Sequence, residues 1–236
     1  MGNLSSYYDL IASITKNDEV TRQEIALIQK HLKSGHILDI ACGSGRHLIP
    51  LLHLGYDLSG LDSNNIHLKL LSEKLNRKVQ LYNAEFNRAV ISEKFDALLL
   101  FWNSLNEICH DNNELNEFFV KSRTILNEKG IIIINFDDIK EIDPINLDFE
   151  YKGEYEGQSF KYQFKVQEFD RRNNISKSIE RLTIYSGDLV ETITAELIQK
   201  WWGSEEVSSI ANDHGFRIEL DKIKANNEIY MILKKA

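Results

Sequence analysis

The sequence predicts an α/β fold built on a parallel sheet, with a small antiparallel sheet added after the fifth strand. Three stretches carry that expectation. Residues 37–62, ILDIACGSGRHLIPLLHLGYDLSGLD, read as strand, glycine turn, helix, second strand and terminal acid. The runs KFDALLLF (94–101) and GIIIINF (130–136) are apolar almost throughout, as strands buried on both faces of a sheet should be. From 146 to 200 the pattern changes to alternation, which suits antiparallel strands with one wet face.

The elements follow in order. Residues 5–14 form an amphipathic helix, with Tyr7, Tyr8, Leu10, Ile11 and Ile14 on its apolar side. Asp18 or Thr21 caps a second helix, on which Ile25, Ile28 and Leu32 recur at helical spacing before Gly35. Residues 37–41 are the first strand, and Gly43-Ser44-Gly45 turn it into a helix that ends at Gly55. Residues 56–61 are the second strand, closed by Asp62. Ser63 or Asn64 caps a helix to about Leu75, and strands follow at 78–82, 94–101 and 130–136, with a helix over 113–126. Strands alternating with helices imply right-handed crossovers. Beyond Pro144, Tyr162, Phe164 and Val166 face Ile179 and Leu182–Ile184 across a turn at Arg172-Asn173-Asn174. Residues 188–198 add a third such strand, 204–214 a helix, and 216–220 and 228–233 the last two strands. We read one domain over 1–236, with 146–200 as an antiparallel cover inserted within it.

Composition bounds the function. The 236 residues carry 42% hydrophobic and 27% charged side chains, ordinary for a soluble globular protein, with a net charge of −8. That charge disfavours general nucleic-acid binding, which depends on clustered Lys and Arg. Cys42 and Cys109 lack a paired spacing, so free thiols and a cytoplasmic setting are expected. The start MGNLSS fits an acylation pattern superficially, but no basic cluster follows it. No apolar run is long enough to span a bilayer. Zinc-like clusters, serine-triad motifs and Walker loops are not found, so no metal is expected.

The glycine turn selects a ligand class. A dinucleotide fold calls for G-x-G-x-x-G, whereas Leu48 stands in the third glycine's place, which weakens a hydride-transfer reading. Asp39, inside the strand before the turn, would oppose a pyrophosphate and favour a cationic ligand. Asp62 is placed to accept hydrogen bonds from two ribose hydroxyls.

With those residues the chain resembles the class I S-adenosylmethionine-dependent methyltransferases of small-molecule type. The resemblance is strongest over LDIACGSGRHLIPLLHLGYDLSGLDSN and extends over nearly the whole chain. It implies a Rossmann-like seven-stranded, mostly parallel sheet with helices on both faces and an antiparallel last strand. It also implies S-adenosyl-L-methionine as cofactor, with Asp39, Ala41, Gly43 and Gly45 cradling the methionine end and Asp62 with Ser63 at the ribose. Ala84, Glu85 and Phe86 would meet adenine, although the family often has Asp where Glu85 stands. Phe101 and Asn103 would line the cofactor pocket, Arg46 would cover the cofactor carboxylate, and Tyr7 would fold over it.

Acceptor residues are expected at the rim after the fourth strand, where such sheets bind ligands. Trp102 and Asn106 are candidates there, and Trp202 is the candidate wall on the cover side. The catalytic candidates are His110, which could remove a proton from the acceptor, and Tyr8, whose hydroxyl could touch the substrate or the methionine end. The implied reaction is in-line methyl transfer to N or O of a small molecule. The alternatives are a protein or RNA acceptor, or a non-catalytic S-adenosylmethionine-binding partner protein.

Overall fold

Each inner strand of the main sheet sends alternate side chains into two separate cores, which is why these strands are apolar without interruption. The computed structural model describes residues 3–15, 18–155, 157–187, 189–223 and 229–236. The MG start of the acylation pattern and the strand ends expected at Asp188 and Glu228 lie outside the described residues.

A short 3-10 turn (Leu4–Tyr7) leads into α1 (Tyr8–Thr15), and α2 (Asp18–His31) follows. Then come β1 (His36–Ile40), α3 (Leu48–His53), β2 (Asp57–Asp62), α4 (Asn65–Lys74), β3 (Gln80–Asn83) and β4 (Phe95–Leu100). Next are α5 (Ser104–Ile108), α6 (Asn112–Ile125) and β5 (Leu126–Asn135). The antiparallel part is β6 (Asp148–Tyr155), β7 (Gln158–Asp170), β8 (Ile175–Ser186) and β9 (Leu189–Lys200). The chain closes with α7 (Ser204–Asp213), β10 (Phe216–Lys222) and β11 (Ile229–Lys235).

The seven-stranded sheet has the order β10-β11-β5-β4-β1-β2-β3, and the second sheet the order β6-β7-β8-β9. β1 pairs in parallel with β2 and β4, and β4 with β5, while β11 runs antiparallel to both β5 and β10. Leu38, Leu98, Leu100, Ile132 and Ile134 enter one core with α6 and α7. Ile37, Ala97, Leu99, Ile131 and Ile133 enter the other with α2, α3 and α4. A third core joins Leu10 and Ile11 of α1 to Phe160, Tyr162, Phe164, Leu182 and Ile184 of the second sheet. Burial of each such large apolar side chain stabilises by roughly 1.5–3 kcal/mol, so α1 is held to the cover.

Caps fix the helix starts. Asn64, rather than Ser63, caps α4 by accepting from the Ile66 N–H at 3.0 Å. Asp111 accepts from the N–H groups of Asn113 and Glu114 at the start of α6. The sequence reading lacked the five-residue α5, too short to show a period, and β6, although Phe149, Tyr151 and Tyr155 alternate along its eight residues. It also ended the helix before β5 too late: α6 stops at Ile125 and the strand starts at Leu126, with a shift of register against β4 between Phe95 and Ala97. In β8, Leu182 and Ile184 face the third core, whereas Ile179 has the opposite parity and Glu180 takes the inward place.

Candidate active site

β1 and β4 lie side by side at the centre of the sheet, and their next strands in the chain, β2 and β5, lie on opposite sides of them. Such a switch point leaves a crevice at the strands' C-terminal ends. Three non-glycine residues there have left-handed backbone: Ala41 (φ 55°), Trp102 (φ 57°) and Asn103 (φ 60°). Each such L-residue costs about 1–2 kcal/mol, so the surroundings must hold it. Asn103 is held from both ends of its amide. Its Oδ1 accepts from the Asp137 N–H at 2.6 Å, and its Nδ2 donates to Asp137 Oδ2 at 2.5 Å.

The glycine turn is tied to the end of β2. Gly43 N–H donates to Asp62 Oδ2 and Asn64 N–H to Asp62 Oδ1, each at 2.8 Å. Gly43 has φ 55°, and a Cβ there would collide with the Tyr8 ring, which lies against the turn. Gly43→Ala is therefore expected to destabilise the fold by at least about 1 kcal/mol, measured by denaturant unfolding. Tyr8→Ala in the same chain should restore only the part due to the collision.

Asp39 is 3% exposed, and its Oδ2 has no hydrogen-bond partner among the described residues. Burial, with Asp62 adding its charge against the help of Arg46, pushes its carboxyl up to about 7. An orphaned buried carboxylate oxygen beside a glycine cradle fits the cationic amino end of S-adenosylmethionine.

A buried ion network stands behind the turn. Glu24 of α2 accepts from Arg46 Nη1 at 2.5 Å and from the Tyr230 hydroxyl at 2.9 Å, with His47 Nε2 at 2.9 Å. Arg46 also donates to Thr21 Oγ1 at 3.1 Å. Burial alone would raise Glu24, but His47 and Arg46 outweigh it and hold the carboxyl down at about 2. Arg46, expected over the cofactor carboxylate, is thus committed to α2 through its Nη1.

A cavity of about 650 Å³ runs from this rim to the inward face of the cover sheet. Of the residues singled out from the sequence, Tyr8, Ala41, Asp62, Ser63, Trp102 and Asn103 line it. Tyr8 also packs on His67 and Trp102, with ring centroids at 4.3 and 5.6 Å, and burial raises its hydroxyl pKa.

The others lie elsewhere. Asp39, Gly43 and Gly45 are buried in and behind the turn. Tyr7 turns toward the cover sheet, its hydroxyl 3.5 Å from Glu191. Ala84 N–H donates to the Asp62 carbonyl, exposed Glu85 pairs with Arg88 at 3.1 Å, and Phe86 packs on Phe118 in the core. Phe101 packs on His47 and Tyr230 on the far side of the sheet. Asn106 is fully buried, with its amide unpartnered among the described residues. His110 sits outside the lining, its N–H donating to Glu114 at 2.7 Å.

Trp202, expected at the acceptor wall, lies in the core and donates to the Cys109 carbonyl, while Trp201 lines the cavity and donates to Ser176 Oγ. The two indoles are adjacent in a chain leaving a strand, so opposite facing is forced and sequence alone does not say which turns inward.

Sequence reasoning gave no role to two acids. Glu107 of α5 opens into the cavity, with Gln199 Nε2 3.5 Å from its Oε1. Glu180 of β8 also lines it and accepts from the Tyr162 hydroxyl at 2.5 Å. A signal for Glu180 existed: it shares parity with Leu182 and Ile184 on an apolar face.

Comparison with known proteins agrees with this geometry. Residues 37–130 match a methyltransferase domain family. YqeM of Bacillus subtilis (strain 168), named as a candidate methyltransferase, is 23% identical over 91% of this chain and 85% of its own. DesVI of Streptomyces venezuelae superposes with a TM-score of 0.88 over 100% of both chains at 16% identity. CalS10 of Micromonospora echinaspora, an amino pentose methyltransferase solved with S-adenosylmethionine bound, gives 0.81 over 100% of this chain and 98% of its own at 13% identity. The glycine turn and the acid that closes β2 both fall inside the matched methyltransferase domain, and the fold of the whole chain is that of the DesVI and CalS10 structures.

Proposed function

We propose that the chain transfers the methyl group of S-adenosylmethionine to a nitrogen or oxygen of a small molecule held between the sheet rim and the cover. The cavity carries this reading. It joins Asp62 to the inward face of β7, β8 and β9, and its size suits a small ligand rather than a macromolecule. CalS10, whose acceptor is an amino pentose, supports it by fold. In this reading residues 1–236 act as one domain with 146–200 as its cover. The net charge of −8 argues against a nucleic-acid acceptor, and two unpaired cysteines argue for a cytoplasmic setting. Among the described residues, no helix is long and apolar enough to cross a membrane.

Bound S-adenosylmethionine supplies an activated methyl on a cationic sulfur, so the protein's task is alignment. Asp39 would meet the cofactor's amino group, Gly43 and Gly45 would let the backbone approach, and Asp62 and Ser63 would meet the ribose. Tyr8 and Trp102 would wall the reacting end, with Tyr8 in its protonated, donating form. Methyl transfer from labelled cofactor to a panel of small amines and alcohols, against none to bulk protein or RNA, tests the reading.

Asp39 gives a pH signature. Its carboxyl titrates near 7 in the free protein, and an ammonium partner favours the ionised form. Cofactor binding should then release a proton around pH 6–7 and tighten as pH rises through that range. Calorimetry in buffers of different ionisation enthalpy measures the release, and Asp39→Asn should abolish it.

A further inference from the structure

We propose that the acceptor is a small primary or secondary amine that enters as an alkylammonium, and that Glu107, backed by Glu180, takes its proton. This rests on the reading of the cavity as the acceptor site. Glu107 stands on α5, directly after the rim residues Trp102 and Asn103, so it bridges the cofactor end and the cover. Glu180 interrupts an otherwise apolar cross-strand row, Phe149–Phe164–Glu180–Ala195. Gln199 joins them from β9. It is 5% exposed, and its Oε1 lacks a partner among the described residues.

The charge around the pair is one-sided. Asp62 and Asp137 are the other acids of the lining, and among its described residues there is no Lys or Arg, only His67. Tyr151, Tyr162 and Trp201 add ring surface that attracts a cation. Nothing in that lining neutralises two carboxylates at once. Glu107 is itself exposed to the cavity, but desolvation by the surrounding walls, then Glu180's charge and then Asp62's, push its carboxyl up to about 8, although Gln199 opposes the shift. Burial raises Glu180 as well, against the Tyr162 hydrogen bond. Near neutral pH the empty pair therefore holds a proton; an arriving ammonium supplies the missing countercharge and drives that proton to water, so Glu107 is a carboxylate when the acceptor is in place.

The chemistry closes. An N–H bond of the ammonium breaks, an O–H bond forms on the Glu107 carboxylate, and the electron pair stays on nitrogen as the nucleophile. After transfer the product nitrogen is cationic again, and the carboxyl proton leaves to water. A base near 8 is better matched to an ammonium than an ordinary carboxylate is. An aliphatic hydroxyl is far too weak an acid to use it. Glu180, tied to Tyr162, is the positioning residue whose charge raises Glu107.

The test uses the protein saturated with S-adenosylhomocysteine, titrated with ethanolamine, 1,4-diaminobutane and glucosamine and with the matching diols and glucose. The expected result is that amines bind and neutral matches do not. Glu107→Gln should weaken amine binding about 10- to 100-fold while leaving cofactor affinity unchanged. Glu180→Gln should bring the Glu107 carboxyl, followed by carbon NMR of labelled glutamate, down from near 8 toward the ordinary range. Equal binding of amines and neutral matches, or wild-type amine affinity in Glu107→Gln, overturns this inference and leaves the cavity as acceptor site. Failure of every probe to bind overturns both.

Discussion

Glu24→Ala is expected to destabilise the protein by about 3–5 kcal/mol, the largest single-residue loss of stability we expect outside the apolar cores. The carboxylate is fully buried and gathers Arg46, His47 and the Tyr230 hydroxyl, so its removal strands buried charge instead of simply deleting a contact. In a chain of this size that corresponds to a fall in Tm of roughly 6–20 °C. The pH dependence gives a second check. A carboxyl held at about 2, below its ordinary value, contributes stability that is present above about 4.5 and is lost as pH falls toward 2. Wild type and Glu24→Gln should differ most near neutrality and converge in acid, as denaturant melts across pH 2–7 would show. Because Arg46 and His47 open the helix after the glycine turn, the same variants should also weaken cofactor binding.

Asp62→Ala is expected to weaken S-adenosylmethionine binding by about 100-fold or more. Two losses combine. The carboxylate now fixes the turn through Gly43 N–H and the start of α4 through Asn64 N–H, and it lines the cavity where the ribose would lie. Asp62→Asn should fall between wild type and alanine. Its amide keeps one acceptor oxygen, so one of the two N–H groups loses its partner. Calorimetric affinities of the three proteins, with melts to confirm folding, measure the series.

What the sequence made legible follows from how local each signal is. The unit from β1 to β2 is contiguous: strand, glycines, helix and Asp62 fall within 26 residues and declare themselves by spacing. The inner strands β4 and β5 are apolar on both faces because two cores need them. The Glu24 network was hidden for the opposite reason, since its partners lie 22, 23 and 206 residues away. On α2 an acid between apolar positions looks like a solvated one. Glu107 sits on a five-residue helix with no period to read. Glu180 could have been found, had the parity of Leu182 and Ile184 been followed back two residues instead of to Ile179. His110 and Trp202 were chosen for residue type near the right place, and type does not say which way a side chain turns. The proposed acceptor side was the harder one to read because its lining is assembled from α5 and four cover strands, whereas the glycine turn and its flanking acids come from one unit.

The central claim is that the turn at Gly43 and Gly45, with Asp39 before it and Asp62 after it, holds S-adenosylmethionine and not a dinucleotide. Isothermal titration of the wild-type protein with S-adenosylmethionine and, separately, with NAD tests it most directly. The expected result is saturable binding of S-adenosylmethionine at one site, with proton release near pH 7, and no heat from NAD. Saturable binding of NAD, or S-adenosylmethionine affinity that survives Asp62→Ala unchanged, would contradict it.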